Sequence, residues 1–320
     1  MNSSRSKSPR RRATSTVTPD WDRQLEQWHR MLGECRRKPT RKRVHLLRVS
    51  TLRLQAQVGY WLEGHESDHP SASIAKHWNR EAKHLRRALG AVRAFDVHLG
   101  KLSLLRDLLT TESGYEPRSS RESLRQIDVL EERFKRDRRS ATKDLEETLE
   151  ERHGKLERTA KAMAAEPTLH PVLQTLTLHR LWSMFADAAS GFSKQNPDSL
   201  HDFRKRLKSV RYLTELAPAS EEVLQLASTV KAMQGAIGEW HDWEELSIYA
   251  ARVLRRKETA DLSQQLETLI AESLERALTL CENASQQLPA AQQIPPLDDA
   301  IQKKPVRTDK DATVHIRASA

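Results

Sequence analysis

Cysteine and glycine are scarce in this chain, and long apolar runs are absent. It has 2 cysteines and 10 glycines in 320 residues. The two cysteines, Cys35 and Cys281, lie far apart in sequence, which argues against a disulfide framework or a cysteine-based zinc site. A many-stranded β fold needs many tight turns, and the chain has few glycines to form them. No apolar run approaches the about 20 residues that span a bilayer, and no apolar signal segment follows the basic N-terminus. We therefore expect a helical protein in the reducing cytoplasm.

Charged residues are abundant, but the excess of positive charge is not spread evenly. Lys and Arg number 54 against 44 Asp and Glu, which gives a net charge of +10 and points to a polyanionic partner. Residues 1–43 hold 13 basic and 4 acidic side chains, whereas residues 220–288 hold 6 basic and 12 acidic ones. The bulk charge therefore belongs mainly to the first 43 residues and does not by itself locate a binding site.

The composition along the chain predicts three segments. Residues 1–19 are rich in Ser, Arg, Pro and Thr and predict a disordered basic arm. Residues 289–320 are rich in Pro with mixed charges and predict a disordered tail. Between them, residues 20–288 predict an all-α domain with an N-terminal half at about 20–165 and a C-terminal half at about 166–288.

Apolar residues within this domain recur at helical spacing, as in Trp21, Leu25, Trp28 and Leu32. Residues 121–165 differ because their apolar positions are sparse among many charges. For that segment we expect a solvent-exposed helical hairpin broken near Gly154, or one long projecting helix.

Two short motifs occur in each half of the chain in the same order. A lysine precedes the glycine of each second motif by seven residues. In chain order the elements are His45-Leu-Leu-Arg48, Lys83, Gly90-Ala-Val-Arg93, His201-Asp-Phe-Arg204, Lys231 and Gly238-Glu-Trp-His241. The two halves therefore look like duplicated helical units offset by about 150 residues.

The best-defined copy predicts a helix with an apolar face beside a cationic face. At about 100° per residue, the apolar face comprises Leu200, Phe203, Leu207, Val210 and Leu213. The adjacent arc comprises His201, Arg204, Lys205, Lys208 and Arg211. The first copy has a thinner cationic arc, with His45, Arg48 and Arg53, and the following helix adds Lys83, Arg86 and Arg93. Like charges on one helix repel and so destabilise it, which a purely structural role does not require. These cationic faces therefore indicate that the protein binds a polyanion.

These motifs resemble the conserved-histidine α-helical domain, the CHAD family. The elements that match are His45-x-x-Arg48, Leu89-Gly90-x-x-Arg93-x-x-Asp96-Val97, His201-Asp202-x-Arg204-Lys205-x-x-Lys208-x-x-Arg211-Tyr212 and Ile237-Gly238-x-x-His241-Asp242. The resemblance implies two antiparallel helical bundles related by a pseudo-twofold axis, around a central basic groove or pore. It also implies binding of inorganic polyphosphate, often at polyphosphate granules. The implied lining comprises His45, Arg48, Lys83, Arg93, His201, Arg204, Lys205, Lys208, Arg211, Lys231 and His241.

Polyphosphate suits these side chains, since Arg contacts two phosphate oxygens with its fork and Lys supplies a point charge. Whether the histidines touch the ligand or only position their neighbours stays open. One alternative is a metal-dependent phosphohydrolase that uses His201-Asp202 and His241-Asp242, although nearby Arg204 and Lys208 oppose a cation there. A second is non-specific nucleic-acid binding through the arm at residues 1–19. We favour a binding protein over an enzyme, with no cofactor and no metal.

Overall fold

The computed structural model describes residues 21–65, 69–111, 118–167, 176–196, 198–254 and 260–286. The predicted disordered arm and tail lie outside these residues. The described part of the chain is all-α, as predicted, and its helices are α1 (Trp21–Arg37), α2 (Arg41–Glu63), α3 (Pro70–Thr111), α4 (Arg118–Ala164), α5 (Leu178–Ala189), α6 (Ser199–Thr214), α7 (Glu221–Val253) and α8 (Ala260–Gln286). None of these helices is both long enough and apolar enough to cross a membrane.

Side-chain caps define where several helices begin. Thr40, Thr177 and Ser220 each precede a helix in extended conformation, and each hydroxyl accepts a hydrogen bond from the backbone N–H three residues later. Such caps satisfy one of the N–H groups that the first helical turn leaves without a partner. The caps fix the starts of α2, α5 and α7, and two of these helices contribute to the site described below.

The helices pack in chain order and then across the two halves of the sequence. Each of α1, α2 and α3 contacts the next helix, and α1 also contacts α4, so the first four helices enclose a core. In the second half, α5, α6, α7 and α8 contact one another in the same sequential manner. The halves meet where α2 packs against α6, α3 against α7 and α4 against α8. These pairings bring the two His-x-x-Arg helices, α2 and α6, side by side.

Two hydrophobic cores hold this arrangement. The larger core contains four fully buried tryptophans of α1, α2 and α3, namely Trp21, Trp28, Trp61 and Trp78. Apolar residues of α4 to α8 complete this core. The second core lies where the far ends of the α3–α4 and α7–α8 pairs meet, and its largest side chains are Phe134 and Trp243. Because all four long helices contribute to the second core, their relative positions are fixed at both ends.

Of the two expectations for residues 121–165, the helical hairpin broken near Gly154 is wrong, and the single long helix is confirmed but does not project into solvent. Residues 118–164 form the single helix α4, which packs along α3 and also contacts α1 and α8. Its buried stripe is narrow but continuous: Ile127, Leu130, Phe134, Leu145, Leu149, Leu156 and Ala160. Gly154 lies inside the helix, where glycine costs about 1 kcal/mol relative to alanine, and packing on both sides of it outweighs that cost.

Ion pairs between α4 and α3 add to this contact, and two of them have buried carboxylates. Arg138 Nε donates to Asp96 Oδ1 at 2.7 Å, and Arg152 Nη1 donates to Glu81 Oε2 at 2.8 Å. Both carboxylates are almost fully buried. Exposed charges of α4 pair with each other one turn apart, as Arg133 does with Asp137 at 3.0 Å. The many charges that suggested exposure therefore occupy the outer face of a packed helix.

Candidate anion-binding site

The site is built around α6, whose apolar face is buried as predicted. Leu200, Phe203, Leu207, Val210 and Leu213 are all at most 2% exposed. The adjacent arc of α6 turns toward α2, which packs against α6, and it carries Arg204 and Lys208, both half-buried. Lys208 lies near Arg48 of α2 and Arg86 of α3. The helical spacing of apolar residues in the sequence therefore determines which face of α6 is buried and which charged side chains lie beside that face.

Five half-buried basic side chains from three helices come together in this region, and we call them the central cations: Arg48 of α2, Arg86 and Arg93 of α3, and Arg204 and Lys208 of α6. Arg48 Nη1 donates to the backbone oxygen of Arg86 at 3.4 Å, which links α2 to α3. The pKa of Arg48 is lowered by burial, an effect that Tyr212 opposes, and the charges of Arg86, Arg204 and Arg93 lower it further. The sequence had predicted all five as binding residues, and the structure brings them together.

Among the central cations, Lys208 has the most strongly lowered pKa. Burial lowers its pKa from 10.5 to about 8, and the neighbouring Arg204, Arg48 and Arg86 contribute to the shift, while Glu245 opposes it. A shift of this size corresponds to about 3 kcal/mol of unfavourable interaction with the charged form. The site therefore holds a cation that an anionic ligand would stabilise.

None of the central cations forms an ion pair with a carboxylate among the described residues. In addition, Nε of Arg86 and Nε of Arg204 are buried without a hydrogen-bond partner. Buried donors without a partner are unusual in folded proteins and often mark a place where a ligand or a water molecule binds. The arrangement therefore has both the charge and the open donors to bind an anion.

A cleft of about 190 Å³ opens beside these cations between α2, α3 and α6. It is lined by Leu52, Gln55, Ala56, Arg86, Lys205, Lys208, Ser209 and Tyr212. Leu52 and Gln55 stand where the second copy of the repeat has Lys208 and Arg211, so the α2 wall of the cleft is uncharged. The amide of Gln55 donates to Asn79 Oδ1 at 2.8 Å, which holds it against α3.

Two further predicted arginines, Arg53 of α2 and Arg211 of α6, are bound to one carboxylate. Glu215 accepts from Arg53 Nη2 at 2.8 Å with one oxygen and from Arg211 Nε at 3.0 Å with the other. Arg211 also donates to Gln234 of α7. Sequence reasoning missed Glu215, although it lies four residues after Arg211, at the spacing where helical ion pairs form.

The predicted histidines His201 and His241 lie at the opposite end of α6 from Glu215. Nε2 of His201 is 3.3 Å from Glu244 Oε2, and Nδ1 of His241 is 3.7 Å from the same oxygen. Nε2 of His241 lies 3.4 Å from Glu245 Oε1. The pKa of His241 is lowered to about 4 by burial and then by Arg204, His201 and Lys208, so its ring is neutral near pH 7.

His201, His241 and Glu244 could also hold a metal ion, because one ligand atom from each lies within 4.8 Å of the others. Two imidazoles and a carboxylate are a donor set that zinc accepts. The positive charges of Arg204 and Lys208 act on His241 and oppose a cation at this position. Sequence reasoning missed Glu244 and Glu245, although each follows His241 by about one helical turn.

The remaining predicted residues lie at the margin of the cluster or on exposed surfaces. His45 is exposed on α2, one turn before Arg48. Lys205 is exposed and pairs with Asp202 at 2.9 Å, although it also lines the cleft. Lys83 and Lys231 are exposed on α3 and α7. No hydrogen bond or ion pair joins either of these two lysines to another described residue.

The chain is similar in sequence to one protein family and in fold to a solved structure. The model of the CHAD domain matches residues 20–249. Among solved structures, PptA from Streptomyces chartreusis is similar, with 16% sequence identity and a TM-score of 0.59 over 82% of this chain and 95% of that one. At this identity the likeness concerns the fold. No curated protein matches the sequence.

Proposed function

We propose that this chain, which belongs to the CHAD domain family, binds inorganic polyphosphate through the central cations. Membership of the family supports this class of ligand, and so does the charge of the site. We further propose that the chain acts as a binding protein located at polyphosphate granules in the cytoplasm, and not as an enzyme.

The observation that carries the proposal is the gathering of Arg48, Arg86, Arg93, Arg204 and Lys208 without any paired carboxylate among the described residues. Structural charges in folded proteins are normally paired, because an unpaired buried charge is costly. A linear phosphate polymer offers a negative charge on each unit and many acceptor oxygens, so a single chain can neutralise several cations at once. Arg supplies forked donors for such oxygens and Lys supplies a compact charge.

The placement of aromatic residues favours polyphosphate over single-stranded nucleic acid as the ligand. Single-stranded nucleic acids are bound by exposed aromatic side chains on which the bases stack. Here Trp240 and Trp243 of α7 are buried, and Tyr212, which lines the cleft, is only 6% exposed. The cleft therefore offers charge and hydrogen bonds for phosphates but no platform for bases.

The test is a titration of the full chain with long-chain polyphosphate and, separately, with double-stranded DNA at about 0.15 M salt, conditions in which both electrostatic interactions are measurable. The Arg204→Gln/Lys208→Gln variant removes two central cations. Since charge-assisted hydrogen bonds contribute about 1.5–3 kcal/mol each, the variant should bind polyphosphate at least about 100-fold more weakly.

The matched control is Arg158→Gln/Lys161→Gln, which removes the same charge from exposed positions on α4. This control should bind polyphosphate like the wild type. Equal affinity of the wild type for both polymers, or equal loss in the two variants, would show that binding follows net charge alone and would refute the proposal.

A further inference from the structure

Carboxylates lie at both ends of the central cations. At one end Glu215, which is 23% exposed, binds Arg53 and Arg211. At the other end Glu244 and Glu245 face His201 and His241. Along α6 the two ends, at His201 and Glu215, are about 21 Å apart at 1.5 Å per residue. Between them, Arg204 and Lys208 are without ion pairs among the described residues.

Glu215 is well placed to keep two arginines away from a ligand. Each of its oxygens accepts from a different arginine, and the two arginines come from different helices, α2 and α6. A phosphate that contacted Arg53 or Arg211 would have to displace this carboxylate or lie beside it. Either event is unfavourable, because the displaced carboxylate would lose its partners or repel the phosphate.

The other end restrains a phosphate chain in a different way. Glu244 Oε2 lies 3.3 Å from His201 Nε2, and Glu245 Oε1 lies 3.4 Å from His241 Nε2, so two carboxylates stand together at this end of the site. Asp242 lies nearby and interacts with Arg204, although burial raises its own pKa. A phosphate chain that extended past Arg204 in this direction would therefore meet carboxylates and no free cation of the cluster.

We infer that Glu215 at one end and Glu244 with Glu245 at the other act as end stops, so that the site engages one short stretch of a polyphosphate chain and not a continuous run. This inference rests on the proposed function. It assigns a specificity role to three residues that do not themselves bind the ligand.

The salt dependence of binding measures how many phosphates the site neutralises. By analogy with single-stranded nucleic acids, the logarithm of affinity should fall with the logarithm of salt concentration with a slope of about −0.7 per neutralised phosphate. If each of the central cations contacts one phosphate, the wild-type slope is about −3.5. Raising salt fourfold should then weaken binding on the order of 100-fold.

The decisive variant is Glu215→Gln in the full chain, titrated with long-chain sodium polyphosphate at several salt concentrations. Freeing Arg53 and Arg211 should bring the slope to about −4.9, with tighter binding at low salt and a loss of about 900-fold for the same fourfold rise. The matched control is Glu267→Gln, which removes one carboxylate from an exposed position on α8. Its slope should equal that of the wild type.

A second variant keeps the inference testable if Glu215→Gln destabilises the fold. Arg53→Gln/Glu215→Gln removes both members of one ion pair, so only Arg211 loses its carboxylate partner, and Arg211 keeps its hydrogen bond to Gln234. Its slope should be about −4.2, between the wild type and the single variant.

The outcomes separate the two proposals. Wild-type protein that does not bind polyphosphate refutes the proposed function. Wild-type binding together with unchanged slopes in both Glu215 variants leaves the proposed function standing and refutes the end stops, because it shows that Glu215 only positions its arginines. Slopes in the expected order support the end stops.

Discussion

Raising the pH from 7 to 9 should weaken polyphosphate binding through Lys208. The pKa of this lysine is lowered to about 8, by burial first and then by Arg204 and Arg48, so the free protein loses this charge within that range. A bound phosphate chain would supply the negative charge that the lysine lacks and would bring its pKa back toward 10.5. Binding above pH 7 must therefore take up a proton, and affinity must fall as protons become scarce.

The size of the effect follows from the same pKa. With a value of about 8, about nine-tenths of Lys208 is protonated at pH 7 and about one-tenth at pH 9. If the bound form stays protonated throughout, affinity falls about tenfold between these values. Other groups of the site contribute little, since the pKa of His241 is about 4 and burial raises the pKa of Tyr212 above its ordinary value of 10.0.

Calorimetric titration with long-chain polyphosphate, repeated in buffers of different ionisation enthalpy, measures both the affinity and the protons taken up. Lys208→Arg provides the control, because arginine stays protonated across this range. The variant should show a flat pH profile and no proton uptake. A flat profile in the wild type, or the same slope in the variant, would refute the assignment of the shift to Lys208.

Three other substitutions test the fold and its relation to the site. Asp96→Asn leaves the guanidinium of Arg138 without its buried partner and should lower the free energy of unfolding by about 3–5 kcal/mol in a urea titration. Phe134→Ala opens a cavity in the second core, and a loss of about 3–5 kcal/mol is expected by the same method, whereas a loss below about 1 kcal/mol would mean that this core is dispensable. Lys208→Met removes a cation whose lowered pKa makes its charge unfavourable in the folded state, so at pH 7 the variant should be more stable on the order of 1–3 kcal/mol yet bind polyphosphate more weakly. The gain in stability should shrink as the pH rises from 8 toward 10.5, because the wild-type lysine then folds uncharged.

The sequence predicted the helices well where apolar spacing and breaking residues agree. Trp21, Leu25, Trp28 and Leu32 mark α1, which ends just before Lys38-Pro39. For α4 the expected exposure to solvent is wrong, because its apolar positions are spread thinly over 47 residues and do not indicate a buried face. The apolar pattern of one helix does not reveal that α3 packs beside α4 and that α1 and α8 also contact it. The surface against which a helix is buried is formed by other parts of the chain, and the sequence of the helix alone does not describe that surface.

The same limit separates the predicted and unpredicted parts of the site. The cations were predictable because each lies on an arc beside an apolar face, a property of one helix. Glu244 of α7 approaches His201 of α6, and Glu245 of α7 acts on Arg204 and Lys208 of α6, so the effect of both carboxylates depends on how the two helices pack. Glu215 was predictable in principle from its spacing to Arg211, but its bond to Arg53 required the pairing of α2 with α6.

The central cations can persist in a stable protein because of where each one stands on its helix. Each directly follows a residue that is at most 1% exposed: Leu47 before Arg48, Leu85 before Arg86, Val92 before Arg93, Phe203 before Arg204 and Leu207 before Lys208. A step of one residue turns about 100° around a helix, so the side chain lies at the margin of the core while its backbone is fixed by the neighbour. Burial of such a neighbour contributes about 1.5–3 kcal/mol, comparable to the cost of the charge beside it. Core packing therefore offsets the repulsion between the cations at the positions where they are held. A polyanion that binds here meets side chains that are already in place, so binding does not have to bring them together.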